Sequence, residues 1–419
     1  MRLPARIDRA AGGLAADAAL YGLSAVFALV TALTSTLLPH RAWGAVAAWT
    51  YLGAFLVVGV QLMMRRPALR TALTWTAWAG VALLPLVVQA VQRAGGRTDR
   101  AQEEVLVAEH MGQRLAETGT PYLGPSAISA LPPGEQLLGY APYQPGMALF
   151  GLPRAAFGEA WWTDARIWFA LVTAAALVTA VHLLRSHPVR ALQFATVFPV
   201  CALTLATGGD DLPVLALCLL ALACCATGRF AAAGIAVGAA AALKLFALPV
   251  LVVLLVLAFT AGHLRRFAPG AVGLPLLALA PAFAVDSDAF VENVIRFPLG
   301  HGIVTSPAQS PFPGYLIAQA VPGGRYVAAG LLVAAGAAIA VLLIRRPPVT
   351  AATAALFCGY GLLTAILLMP TTRFGYLLYP IALLAWSAAL RNSRPVGSFE
   401  GGDARPDVQQ THRNMGTMR

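Results

Sequence analysis

Charge is scarce in this chain of 419 residues. Only 11% of positions are Asp, Glu, Lys or Arg, lysine occurs once, at Lys244, and 58% are hydrophobic. A soluble domain of ordinary composition is about a quarter charged, so one water-exposed globule is excluded. Cysteine is sparse too. Cys201, Cys218, Cys224, Cys225 and Cys358 all fall within apolar runs and show no ligand spacing against His, which excludes a disulfide framework and argues against a zinc site. Also missing are a Gly-rich phosphate loop following a strand and a Ser-His-Asp order. A nucleotide-sugar enzyme built on a soluble catalytic domain is therefore not expected.

What the chain has is apolar length. Runs able to cross a hydrocarbon layer of about 30 Å recur from Leu20 nearly to the C-terminus, separated by Arg, Pro and Gly. They predict an all-α polytopic membrane protein with about twelve spans. These are Leu20–Leu38, Trp43–Met63, Thr71–Val91, Ala165–Leu184, Ala191–Ala206, Leu212–Thr227, Phe230–Leu243, Phe246–Ala261, Phe267–Ala284, Tyr326–Ile344, Thr350–Met369 and Gly375–Leu390. The N-terminal "MRLPARIDRAAGG" has the charged flank of a signal sequence, but the apolar run behind it is long and leads straight into a second, so it reads as a retained anchor. Residues 1–390 form the polytopic domain, and the polar stretch 391–419 reads as a disordered cytoplasmic tail.

Arginine placement orients the spans. With both termini in the cytoplasm, Arg2, Arg6, Arg9, Arg65, Arg66, Arg70, Arg185, Arg190, Arg229, Arg265, Arg266, Arg345, Arg346, Arg391 and Arg394 fall on the inner side. The net charge of +11 is then spread along the inner face, where it suits anionic lipid headgroups rather than nucleic acid. Two long loops, residues 92–164 and 285–325, lie outside, so an active site is expected on the outer face.

The first of these loops gathers Asp99, Glu103, Glu104, Glu109 and Glu117, five of the eighteen acidic residues. On a helix turning about 100° per residue, Val105, Met111, Gly112, Leu115 and Ala116 share a stripe with Ala108. This predicts a helix lying on the outer membrane surface with its apolar face down. Glu103, Glu109 and Glu117 would keep the other side in water. Glu104 is different, projecting about 40° from the stripe's centre, beside Met111 and Leu115. A carboxylate partly removed from water there is suited to act as a general base; equally, it sits in a first turn where negative charge favours the helix dipole.

Several polar groups sit where apolar chain would be expected. Lys244 interrupts a span, where a charge must be paired or reach the interface. Arg373, in "MPTTRFGYLLYP", lies on the outer side against the arginine bias, as a phosphate contact or as an interfacial anchor flanked by Tyr376 and Tyr379. Asp210 and Asp211 open a span just before Pro213. Asp211 reads slightly better as an N-cap, and Asp210 as a group touching sugar hydroxyls or a cation across the site. Adjacent acids also suit Mg²⁺, but two carboxylates are not by themselves a site, and no metal or other cofactor is expected. In the second loop, Pro298, Pro307, Pro311 and Pro313 prevent a single helix. His301 between two glycines there is a candidate contact to donor or acceptor, or simply solvated.

Two blocks resemble a known family. The acidic residue after an early span, the amphipathic helix, then Gly119-Thr120-Pro121-Tyr122 and "APYQPG" resemble the first outer loop of the polytopic GT-C glycosyltransferases. "TGGDDLPVLALCLLALACCATGRFAAAGIAVGAAAALKLFALPVLVVLL", residues 207–255, resembles glycosyltransferase family 87, the polyprenyl-phosphate mannosyltransferase-like branch. The resemblance implies a GT-C-like bundle with amphipathic loop helices on its outer face. It further implies an inverting transferase that takes a sugar, mannose favoured, from a polyprenyl-phosphate donor to a lipid or glycan acceptor, with an acid of the first loop as base. Counting back from Tyr122, Glu104 matches best, with Glu103 and Asp99 as alternatives. The family more often has Asp followed by Tyr, where this chain has Glu and then Ala108. Lys244, Arg373, Arg296 and Arg325 are the candidate phosphate cations, and Tyr122, Asp210, Asp211 and His301 complete the substrate-binding set.

The rival class is a lipid or solute transporter without transferase activity. Transporters commonly show interrupted spans at corresponding places in two halves; here there is one interruption, at Lys244. The helix "FAAAGIAVGAAAAL" is read as a packing helix of the bundle centre.

Overall fold

A computed structural model describes residues 10–65, 67, 69–185 and 188–391. Residues 392–419 of the expected tail, and Arg2, Arg6, Arg9 and Arg66 of the inner-face set, lie outside the described residues, whereas Arg391 ends the last helix. Among those described, the elements are helices, apart from one isolated parallel bridge between Gln309 and Thr372.

The principal helices are α1 (Leu14–Thr34), α2 (Leu38–Met63), α3 (Arg70–Ala94, with a π-helical turn at Ala79–Leu83), α4 (Glu103–Thr118), α5 (Ala165–Leu184), α6 (Val189–Ala195), α7 (Pro199–Thr207) and α8 (Asp211–Ala226). They continue with α9 (Phe230–Leu243), α10 (Leu248–Thr260), α11 (Leu264–Val285), α12 (Pro313–Ala320), α13 (Gly324–Arg345), α14 (Ala351–Leu368) and α15 (Leu378–Arg391). Eight helices among the described residues are long and apolar enough to cross a membrane. The other four expected spans fall on the bent pair α6–α7 and on the short apolar helices α8, α9 and Leu245–Thr260.

The short helices belong to the interior. At 1.5 Å per residue, the fourteen residues of α9 extend only about 21 Å, less than a bilayer core. Its small residues let backbones meet: Gly234 lies against the Phe267 carbonyl and Gly238 against that of Gly270, both in α11. A Cβ at either position would collide, which is the close packing that small residues permit between apolar helices. The break between α6 and α7 is also covered, because the buried Tyr51 hydroxyl donates to the Val197 carbonyl at 2.6 Å. Backbone groups freed in an apolar layer need such partners. Large exposed side chains such as Leu23, Trp49, Leu277 and Ile344 form the outward surface of the long helices, as lipid-facing positions require.

Two long connections, between Ala94 and Ala165 and between Val285 and Gly324, pack on each other at one end of the bundle, called here the loop end, where the Tyr140 hydroxyl donates to Glu292 and the Asn293 side-chain amide to the Leu123 carbonyl, each at 2.8 Å. Toward the other end, buried Asp17 of α1 accepts from Arg70 at 2.6 and 2.9 Å and from Gln193 at 3.1 Å, with Arg190 also 3.1 Å away.

The helix α4 forms where expected, but its setting differs from a helix lying on lipid. Its buried face packs on the loop's own residues 145–157. Gly112 and Gly151 approach so closely that a Cβ on either would strike the opposing backbone. Glu109 is a correction: it is buried, not solvated. It accepts from Arg93 at 2.5 and 2.7 Å and from the Ala165 amide at 3.2 Å, with Arg154 3.3 Å away. Asp164 joins this cluster through Arg166 and Arg93. Burial opposes its ionisation, but the Arg166 and Arg93 guanidiniums outweigh that and hold its carboxyl down to about 2. The network clamps α4 onto the ends of α3 and α5. Glu103 and Glu117 are exposed, as expected.

Candidate functional site

A cavity of about 590 Å³ opens at the loop end. The chain reaches it through local turns. After α7 the turn Thr207-Gly208-Gly209 reverses the backbone, with Gly209 at φ +90°, a conformation that glycine adopts readily. The turn carries Asp210 and Asp211 to the cavity and is pinned to the first loop: the Gln102 amide donates to the Thr207 carbonyl at 3.0 Å, and the Thr207 hydroxyl to Gln102 Oε1 at 2.7 Å. Gln102 immediately precedes α4, so this pin sets where Glu103 and Glu104 emerge. The "YQPG" stretch docks on the end of α9, where the Gln144 amide donates to the Leu243 carbonyl at 3.1 Å.

Lys244 ends α9 in extended conformation and turns its side chain inward. Its Nζ lies 2.6 Å from Asp210 Oδ2 and 2.5 Å from Asp211 Oδ1. The Tyr143 and Tyr376 rings flank it at 5.2 and 5.6 Å. The Tyr379 hydroxyl donates to Asp211 Oδ1 at 2.8 Å, and its ring stacks on Phe246. The N-cap reading of Asp211 is thereby corrected, since neither aspartate side chain caps α8 and both hold the lysine. Asp210 does reach a cation, as expected of it.

On the facing wall, Arg373 Nη1 donates to Glu104 Oε1. The guanidinium is raised further above its ordinary range; burial works against this, and the Glu104 carboxylate outweighs it. Glu104 is mostly enclosed, with 16% of its side chain exposed against 36% for Arg373.

Six of the eleven candidate residues line this cavity: Glu103, Glu104, Asp210, Asp211, Lys244 and Arg373. The other five do not, and Arg325 lines a neighbouring, smaller cavity. Asp99 is occupied by Arg97 at 3.0 Å and Arg100 at 2.7 Å, and the hydrogen bond from Arg97 holds its carboxyl below the usual range. Tyr122 is buried against Phe290 and donates to the Tyr143 carbonyl at 2.8 Å, so it touches the site through Tyr143. Arg296 is exposed and lies 3.4 Å from Glu292, and His301 is exposed. Lining residues not anticipated include His40, near the start of α2. The only sequence signal for it is a histidine at the outer end of a span.

The cavity wall combines four carboxylates and two cations with apolar groups such as Phe27, Val200, Leu203 and Phe374. Phe27 and Phe374 are partly open to the surroundings. Fold and cavity together define a polytopic membrane protein with an acidic, partly apolar chamber at one end of its helices. The sequence model of Glycosyltransferase family 87 matches residues 140–370, just over half of the chain, and the chain belongs to that family. The match takes in the 207–255 block that resembled it. No curated protein matched the chain. Among solved structures the chain is similar to ArnT from Cupriavidus metallidurans bound to undecaprenyl phosphate, with 18% identity, a TM-score of 0.46, and coverage of 75% of this chain and 59% of that one. The apo form gives 19%, 0.44, 76% and 59%. The chain thus spans about three-fifths of the length of the ArnT chains.

Proposed function

We propose that the protein is an inverting membrane glycosyltransferase that moves a sugar from a polyprenyl-phosphate donor to a lipid or glycan acceptor, with Glu104 as general base. Membership of family 87 supports the reaction class. Mannose is the favoured sugar on the resemblance of residues 207–255 to the mannosyltransferase-like branch, and the arginine distribution supports a loop end facing outward with both termini in the cytoplasm.

The observation that carries the reading is the enclosure of Glu104 and Arg373 in one apolar-walled cavity with the Lys244–Asp210–Asp211 triad. Four carboxylates against two cations make the chamber negative. That field favours the positive charge that develops at the anomeric carbon as its bond to phosphate stretches. Each cation is already paired, so a donor phosphate must recruit one. Arg373 is the available one, being more exposed than Lys244, whose side chain is 8% exposed. When Arg373 turns to the phosphate it leaves Glu104 Oε1 free to accept the acceptor's hydroxyl proton. The acceptor oxygen then bonds to the anomeric carbon, and the C–O bond to phosphate breaks with its electron pair leaving on polyprenyl phosphate. Asp210, Asp211 and Lys244 hold the wall and offer hydrogen bonds to sugar hydroxyls. Glu103 and Asp99 remain the alternative bases; Glu103 lines the cavity and Asp99 is engaged by Arg97 and Arg100.

The test incubates membranes carrying the wild-type protein or Glu104→Gln with a set of labelled polyprenyl-phosphate sugars and identifies the extracted product. One sugar should be consumed by wild type, and Glu104→Gln should lose transfer while still binding polyprenyl phosphate. Consumption of none removes the transferase reading; unchanged transfer by Glu104→Gln moves the base to Glu103 or Asp99.

A further inference from the structure

Residues 145–163 run from the contact with α4 to the start of α5, and their side chains divide into two sets. Met147, Ala148 and Phe150 are buried, with Phe150 edge-on to Phe169 of α5 at 4.7 Å. Gly151 supports the Ala108–Glu109 backbone of α4, and Arg154 Nε lies 3.3 Å from Glu109. Leu149, Phe157, Trp161 and Trp162 are instead exposed, Phe157 at 68%. The aromatic members are held in place. The Phe157 and Trp162 rings tilt together at 5.2 Å, the Thr163 hydroxyl reaches the Gly158 and Ala160 carbonyls at 2.7 and 2.6 Å, and Trp168 of α5 donates its indole N–H to the Trp162 carbonyl at 3.1 Å.

This exposed face continues the outward surface of the helices it joins. Residues 161–163 pack on the end of α3, whose Val87, Val88 and Val91 are exposed, and the chain then enters α5, whose Leu171 and Val178 are exposed. The indole N–H groups of Trp161 and Trp162 meet no hydrogen-bond acceptor among the described residues, whereas the buried Trp43 donates to the Val81 carbonyl at 2.7 Å. An apolar ring with an open N–H at its rim suits the boundary between hydrocarbon and the ester and phosphate oxygens of lipid. The two charges within 149–162 offset each other, Arg154 lying 2.7 Å from Glu159, so attraction to anionic headgroups contributes little.

We propose that Leu149, Phe157, Trp161 and Trp162 seat the first loop in the headgroup boundary of the leaflet at the loop end, and that Gly151 and Arg154 act as positioning residues that pass this depth to α4. The surface that meets lipid is then the segment beneath α4, in place of α4 itself, and Glu104 is held at a set height above the hydrocarbon. The seat stands without the transferase reading; its consequence for transfer rests on that reading.

The test places a nitroxide on the full-length protein in phosphatidylcholine nanodiscs at Phe157→Cys, with Leu171→Cys as lipid-facing reference and Glu135→Cys as an exposed position of the same loop. The native cysteines are buried. Collisions with oxygen, which concentrates in hydrocarbon, and with a water-soluble nickel chelate read the depth. The oxygen-to-nickel ratio at Phe157 should lie severalfold above that at Glu135, and should not change when phosphatidylglycerol replaces part of the phosphatidylcholine. A ratio equal to that at Glu135 overturns the seat. A label shielded from both reagents, with crosslinks between copies, assigns the face to a second copy of the chain and overturns it too, and a ratio that rises only with phosphatidylglycerol overturns insertion by neutral rings. Trp161→Ser with Trp162→Ser should lower the Phe157 ratio and slow sugar transfer severalfold, and Trp161→Tyr with Trp162→Tyr, which keep a ring with a polar tip, should recover both. Transfer unchanged despite a lowered ratio, or slowed and not recovered by the tyrosine pair, overturns the passage of depth to α4. A wild-type protein that keeps the Phe157 ratio and consumes no polyprenyl-phosphate sugar removes the transferase reading and leaves the seat standing.

Discussion

Arg373 and Glu104 are 269 positions apart in the chain and meet across the cavity. In the proposed reaction the pair joins the cation that would recruit the donor phosphate to the carboxylate that would take the acceptor's proton. An ion pair of this kind keeps the carboxylate occupied until an anion competes for the guanidinium.

If Arg373 leaves Glu104 for the donor, the two substitutions separate in kinetics. Glu104→Gln should lower kcat by on the order of 10²–10⁴-fold, as expected for a positioned base, with donor affinity kept. Arg373→Gln should instead weaken donor binding, with Arg373→Lys recovering part of it, since lysine keeps the charge and loses the fork. Donor titration against purified protein and steady-state transfer rates check this, and equal donor affinity in wild type and Arg373→Gln would remove the exchange.

The buried triad makes a stability prediction. Lys244→Met leaves Asp210 and Asp211 without their cation and should cost roughly 3–5 kcal/mol, the scale for breaking a buried ion pair from one side. Thermal unfolding in detergent reads this, with Asp210→Asn expected to cost less because Asp211 and Lys244 remain paired.

Helix α4 depends on the Gly112–Gly151 contact. Gly151→Ala inserts a methyl group against the Ala108–Glu109 backbone and should destabilise by roughly 1–3 kcal/mol through overpacking. Because α4 carries Glu104, transfer activity should fall along with the melting temperature. An unchanged melting temperature would mean that the contact relaxes freely.

Acid should loosen the same clamp. The Asp164 carboxyl titrates near 2 when folded, against its ordinary 3.8. A depressed folded pKa contributes stability that is full above the ordinary value and is lost as pH falls through the folded one, here from about 4 toward about 2. Tryptophan fluorescence of unfolding at stepped pH should show this loss in wild type. Asp164→Asn should be less stable near neutral pH and have a flatter slope across that window.

The spans were legible because hydropathy is a local property. Ala165–Leu184 and Phe230–Leu243 carry the same boundaries in sequence and structure, and both long connections fall where apolar character stops. The Lys244 pairing was nearly legible too. Helices α8 and α9 have 16 and 14 residues and a short turn between them, so an antiparallel hairpin returns the chain end at Lys244 beside Asp210 and Asp211. The projection of α4 placed Val105, Ala108, Met111 and Gly112 on its buried face but missed Glu109, because a helical wheel does not show that Arg93, Arg154 and the Ala165 amide wait there to satisfy a carboxylate.

By itself, then, the sequence determined a multi-pass helical bundle, the end at which its long connections gather, and the residue types available there, since each follows from neighbours within a helix length. The tertiary structure decided which of those residues meet. Glu104, Arg373 and His40 converge from different helices and loops, and Asp99, Tyr122, Arg296 and His301 are turned elsewhere, through the order in which helices pack and the partners each buried charge finds. Those contacts depend on side-chain fit between distant segments, which no local periodicity records.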